Sequence, residues 1–312
     1  MRKSIKIIKI TVYLIFILTV ISVVSSTSYE INVYGERYSI KDTLPELSSA
    51  KNSSLMYING NLELENHSSS GDGSIENPFH ILNKVYDVFG SVNIIYGIYI
   101  KNTNKHLVIL NCSAYGADYG LVLNNVTHIL IDTNRIIGNE HGIVVSNSRN
   151  ITFTDNIVNN NNYAINIQNS INIILENNSI TTNSIHGIFF SNSDYSEIIH
   201  NFFYSNQNGI KVIDSNYNKI IENNLEDHMG AISLIRSNFS IIMNNYGTYN
   251  LREITENNCQ NNYFFDNFLE LGITDTTALD LTVIVLSCIS FFSVVYVVKS
   301  IYNFKKLSRS SL

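Results

Sequence analysis

A block that begins Gly-Ile-x-Ile or Ala-Ile-x-Ile, with Leu or Val in some copies, returns every 22 or 23 residues, at Gly97, Gly120, Gly142, Ala164, Gly187, Gly209 and Ala231. Fourteen residues after each start stands an asparagine: Asn111, Asn134, Asn156, Asn178, Asn201, Asn223 and Asn245, with Asn267 closing a degenerate copy that begins near Glu253. Inside each block the apolar residues alternate, as in Ile143 and Val145 or Ile151 and Phe153. Period two is the signature of strands. A unit of three short strands cannot bury its own apolar face, so it has to stack on copies of itself. Stacking in which each strand pairs with the same strand of the next unit gives a coil of parallel strands, right-handed by the crossover rule. The expected fold class is therefore all-β, a right-handed parallel β-helix of about eight coils covering 71–270.

Asparagine supplies 46 of the 312 residues, 37 of them between Asn102 and Asn267. In stacked coils, equivalent residues fall ~4.8 Å apart, and an inward amide both donates and accepts, so it can serve a bent backbone and its own copies above and below. The eight asparagines from Asn111 to Asn267 are expected to form such an inward ladder. A second register five residues after each start, Asn102, Asn125, Asn147, Asn169, Asn192 and Asp214, is read as inward too, which would make the sequons at Asn111 and Asn125 unusable. Sequons at Asn52, Asn66, Asn150, Asn177 and Asn238 would be accessible. Asn183 is assigned to a one-residue insertion where its replacement should be silent. No proline follows Pro78, as unbroken ladders require.

Both termini carry membrane signals. Arg2, Lys3, Lys6 and Lys9 precede the uncharged stretch Ile10 to Val24 and then small residues, the pattern of a signal peptide or signal anchor over 1–28. Leu281 to Val298 holds no charge and is followed by Lys299, Lys305, Lys306 and Arg309. That is the pattern of a transmembrane helix over 281–298 with a basic cytoplasmic tail over 299–312. A lead-in over 29–70 and a linker over 271–280 complete the layout. Setting aside the eight basic residues at the termini leaves 12 basic against 26 acidic residues, a net charge of −14. An acidic exterior of that size argues against nucleic acid as a partner. Cys112 and Cys259 sit at opposite ends of the array and Cys288 inside the expected span, so no disulfide is expected.

The Gly-Ile-x-Ile-x-Asn-Ser and Asn-x-Ile periodicity resembles the right-handed β-helix repeats of the NosD type, also called carbohydrate-binding and sugar-hydrolysis domains. The run from Leu55 to Gly60 and from Gly71 to Phe79 is similar to the segment that precedes such repeats in membrane-anchored archaeal surface proteins. The resemblance covers about Leu55 to Leu269. It implies that Phe79 to Phe89 belongs to the first coil as strand, although Asn77, Pro78 and Gly90 would also suit the ends of a capping helix. It further implies three roles to weigh: glycan binding, sugar-chain cleavage, and assistance in assembling a copper site.

The residues discriminate among these. Cleavage of sugar chains needs clustered carboxylates, and no adjacent Asp pair occurs; His200 and Glu222 are neighbours across one coil and read as an exposed ion pair. His141-Gly142 and His186-Gly187 resemble the His-Gly of polygalacturonases without its acidic and basic companions. For copper, His141 and His186 are separated by Tyr163, His106 and His128 occupy a different register, and the four Met do not cluster. No metal or other cofactor is read from the chain, with calcium admitted only as an ion that carboxylates could hold. The column before each Gly or Ala, Tyr96, Tyr119, His141, Tyr163 and His186, would stack rings along one outer edge, a surface suited to sugars. The reading is a membrane-tethered, extracytoplasmic β-helix for non-catalytic glycan recognition or a structural surface role, with membrane and polysaccharide as partners.

Overall fold

A computed structural model describes residues 54–89 and 94–271. Strand β1 (Ser54–Asn59) is followed by helix α1 (Asn61–His67) and strands β2 (Phe79–Leu82) and β3 (Val85–Asp87), so the segment from Phe79 is strand. β1 pairs in parallel with Tyr96–Thr103, β2 with Leu107–Leu110 and β3 with Ser113–Tyr115. From there the pattern repeats to Phe268–Leu271, building three parallel sheets, here A, B and C in chain order within a coil. The coils thus begin at Ser54, earlier than residue 71, because β1 supplies the first strand of sheet A. About eight turns stacked ~4.8 Å apart give a rod close to 38 Å long. The segments carrying the expected signal and transmembrane helix lie outside the described residues, and among the described residues no helix is long and apolar enough to cross a membrane.

The core is the inward half of the period-two pattern. Ile143, Ile165, Ile188, Ile210 and Ile232 stack in sheet A, and Phe153, Leu175, Ile198, Ile220 and Ile242 in sheet B, all at most 1% exposed. Helix α1 closes one end with Leu64 fully buried. The small residue that opens each coil has a steric cause: a Cβ at Gly187 would stand 2.6 Å from the carbonyl oxygen of Gly209, and one at Gly120 would stand 2.7 Å from that of Gly142.

The asparagine ladder stands at the B-to-C corner. Asn134, Asn156, Asn178, Asn201, Asn223 and Asn245 are 0–1% exposed. Each backbone N–H and each Nδ2 donates to the Oδ1 of the next, as from Asn156 to Asn178 at 3.0 and 2.9 Å. Nδ2 also donates to main-chain carbonyls, for Asn178 those of Phe153 and Glu176. Asn267 ends the file, half-buried, accepting from Asn245.

Three expectations about asparagine are corrected. Asn111 is exposed at positive φ and donates to Asn83; Cys112 occupies the inward place, its N–H donating to Asn134 Oδ1 at 2.8 Å. The extra residue of that coil falls between Asn102 and Leu107, ahead of sheet B, so a constant offset of fourteen lands one position early. Second, Asn102, Asn125, Asn147, Asn169 and Asn192 point outward at positive φ; the residues after them, Thr103, Val126 and then serines, are the inward ones, Ser148 N–H donating to Ser170 Oγ and Ser170 N–H to Ser193 Oγ. The sequons at Asn111 and Asn125 are therefore exposed. Third, Asn183 is 1% exposed and belongs to a second buried ladder at the C-to-A corner, Asn139, Asn161, Asn183 and Asn206. The inserted residue lies beyond it, between Asn183 and His186.

Candidate functional site

The corner between sheets A and B is bent twice. In most coils two residues there adopt the left-handed conformation, such as Asn147 and Asn150 at φ 51° and 54°, and asparagine tolerates that region at small cost. Stacking turns these bends into two vertical outward files. The first runs Asn102, Asn125, Asn147, Asn169, Asn192, Asp214 and Arg236. Its amides bond one another at one end, Asn125 Nδ2 donating to Asn102 Oδ1 at 2.8 Å. At the other end Arg236 grips Asp214 through Nε and Nη2 at 2.6 and 2.7 Å, holding the Asp214 carboxyl below its ordinary range.

The second file runs His106, His128, Asn150, Asn172, Tyr195, Tyr217 and Phe239. His106 and His128 stack at 4.5 Å; Asn150 Nδ2 donates to His128 Nε2 at 3.2 Å and Asn172 Nδ2 to Asn150 Oδ1 at 2.7 Å. Tyr195, Tyr217 and Phe239 stack nearly parallel at 4.9 and 5.0 Å and are about half exposed. This file was not picked out from the sequence, although its 22-residue spacing is visible there.

At this corner, over the first five coils, lies an open groove of about 680 Å³. The exposed amides of Asn102, Asn125, Asn147 and Asn169 line it, together with Asn104, Thr127, Arg149 and Ile171. None of its lining residues is a carboxylate, and Arg149 is the single formal charge on it. Such a surface can donate and accept hydrogen bonds at each ~4.8 Å step and favours neutral or weakly anionic ligands. It offers no pair of acids for glycoside cleavage.

The expected aromatic column stacks but is not an open platform. Tyr96 and Tyr119 are 5.2 Å apart, Tyr119 and His141 4.8 Å, and His141 and Tyr163 4.9 Å, while Tyr163 and His186 meet edge to face. Tyr96, His141 and His186 are 1, 8 and 4% exposed, with Tyr119 and Tyr163 half-buried. The neighbouring outward residues of sheet A, among them Tyr99, Val122 and Val144, are buried as well, so the column belongs to a packed face. Burial lowers the His186 pKa to about 4.

His200 lies between two carboxylates at the B-to-C corner, 2.8 Å from Glu222 and 3.8 Å from Glu176, all three about half exposed. Among the described residues no three His, Cys, Asp or Glu side chains converge as a metal site. The closest imidazoles, His106 and His128, do not suit one: His128 has Asn150 at Nε2 and Thr127 Oγ1 at Nδ1, both at 3.2 Å.

Two solved structures share the fold. The mannuronan C-5 epimerase AlgE4 A-module of Azotobacter vinelandii aligns with TM-score 0.51 and 15% identity over 56% of this chain and 56% of its own. The periplasmic alginate epimerase AlgG aligns with TM-score 0.51 and 18% identity over 61% of this chain and 50% of its own. The chain thus spans about half the length of these proteins, and likeness at this identity is one of fold. No curated protein sequence matches the chain. The profile of the family described as periplasmic copper-binding protein (NosD) matches residues 65–282, more than half of the 312 residues, and the chain belongs to that family.

Proposed function

We propose that this protein recognises extended glycans, without cleaving them, along the groove at its A-to-B corner, and that it does so from a membrane tether formed by 281–298. The observation that carries the reading is the groove's composition: amides and hydroxyls repeated coil by coil, one guanidinium, and no acid. A polymer with hydroxyls at regular intervals can meet an equivalent amide at successive coils, and many weak contacts then add up. The structural neighbours are named as epimerases of sugar polymers, which agrees with a glycan partner. Copper is not carried into this reading, since among the described residues no three His, Cys, Asp or Glu side chains group as a metal site.

A glycan array probed with the full-length protein in detergent, with and without calcium, tests this. Binding weakened several-fold in the Asn147→Gly variant, which keeps the left-handed backbone and removes the amide, supports the groove; binding of unchanged strength argues for a ligand site elsewhere. A second reading, carbohydrate-active enzyme, is favoured by the Glu176–His200–Glu222 trio, and release of products from a bound polysaccharide that stops in His200→Ala would select it.

A further inference from the structure

The exposed aromatic residues are distributed very unevenly along the rod. Of twelve exposed Phe and Tyr among the described residues, eleven lie from Tyr195 onward, in the last third of the coils. They are not confined to one side. Tyr217 and Phe239 stand on the A-to-B corner, Phe265 on the outer face of sheet B, Tyr246 and Phe268 on that of sheet C, and Tyr249 at the register shift near the end of its sheet-C strand. Even Phe264, which continues the inward stack of Ile242, is 36% exposed because no described coil lies over it. The opposite end is closed by helix α1.

A partner that docks on one face would be met by aromatics on that face alone. Aromatics on the A-to-B corner and on the outer faces of sheets B and C, with Phe264 laid open at the end of the rod, fit a partner that meets several faces at once from below, and a lipid–water interface is such a partner. Tyr is suited to it, with its ring at the acyl boundary and its hydroxyl among headgroups, and Phe can bury its ring among the acyl chains. The chain continues from this end: only nine residues, 272–280, separate Leu271 from the uncharged Leu281–Val298 stretch, at most ~32 Å of extended backbone. We infer that the last three coils dock end-on into the bilayer interface, so that the β-helix stands upright with the polar groove over its membrane-distal coils. This rests on the tether reading of 281–298.

The chain contains no tryptophan, so a single introduced one reports its own surroundings. Full-length Phe268→Trp and Val85→Trp proteins are reconstituted in phosphatidylcholine vesicles with or without brominated acyl chains. The expected result is blue-shifted, strongly quenched emission for Phe268→Trp and unquenched emission for Val85→Trp, both insensitive to salt. Phe268→Trp emission that stays unquenched overturns the docking, and concentration-dependent association of such a protein would assign the apolar end to a second copy instead. Carbonate extraction of the same vesicles reads the tether separately: protein retained but unquenched leaves the tether standing without the docking, and protein extracted removes the tether itself.

Discussion

Asn178 and Asn201 share one oxygen: the backbone N–H and the side-chain Nδ2 of Asn178 both donate to Oδ1 of Asn201, at 2.9 and 3.0 Å. The amide therefore closes its own turn and fastens it to the next coil. Asn178→Leu should orphan donors on Asn156 and carbonyls on Phe153 and Glu176, costing about 3 kcal/mol in chemical denaturation of a segment such as 29–275. Asn183→Leu should cost as much, since Asn183 makes equivalent bonds to Asn206, whereas the exposed Ser184→Ala should stay within about 0.5 kcal/mol. A silent Asn183→Leu would refute the second ladder.

Gly187 tests the contact between coils. Ala164 and Ala231 occupy the same column, so Gly187→Ala can be accommodated if the Gly209 carbonyl, 2.6 Å from the added Cβ, gives way, at about 1 to 2 kcal/mol. The added methyls of Gly187→Val, pressed toward the Gly209 carbonyl, should cost about 3 kcal/mol. Equal melting temperatures for the two variants would contradict the spacing.

His228 takes an asparagine's place in the C-to-A ladder, with the N–H of Asn206 donating to its Nδ1 at 3.1 Å. Burial lowers its pKa, and burial brings that of His186 to about 4. Both imidazoles thus stay neutral to lower pH in the folded protein than in the unfolded chain, where they take up protons below ~6.5. Stability should hold above that pH and fall as pH drops toward 4. In His228→Asn the fall should be shallower, read from denaturation midpoints across pH 4 to 8; an unchanged slope would exclude His228 from it.

In the groove, Asn125→Gly and Asn147→Gly should each weaken glycan binding several-fold while leaving the melting temperature within a few degrees, because both side chains face solvent. Calorimetric titration with a ligand found on the array checks this. Loss of binding together with loss of fold would count against a surface role for these amides.

The coils were legible in the sequence because a stacked fold repeats every inward requirement at the coil period, so Asn134 through Asn245 declare themselves together. The second ladder was hidden by its company: Asn161 lies in the run Asn159 to Asn162, where composition cannot say which amide turns inward. Asn111 was misplaced because one extra residue ahead of Leu107 shifts the count, and only strand pairing reveals where such a residue sits. The Tyr96 to His186 column was legible as a stack and not as a buried one, since exposure depends on what packs over Tyr99 and Val122. The groove was not legible at all, because spacing alone does not distinguish Asn147, turned outward, from Ser148, turned inward.

Two coils spend one extra residue at a corner, before Leu107 and between Asn183 and His186, and the register shift inside a strand, between Gly247 and Asn250, falls only where a single coil follows. Every inward side chain is keyed to a copy of itself one turn away, so a frame error of one position inside a strand would uncouple all of its neighbours at once, while a bulge at a corner leaves them in step. Such a molecule can lengthen or shorten in evolution only by whole turns, and its reach is set in fixed increments as a ruler's is.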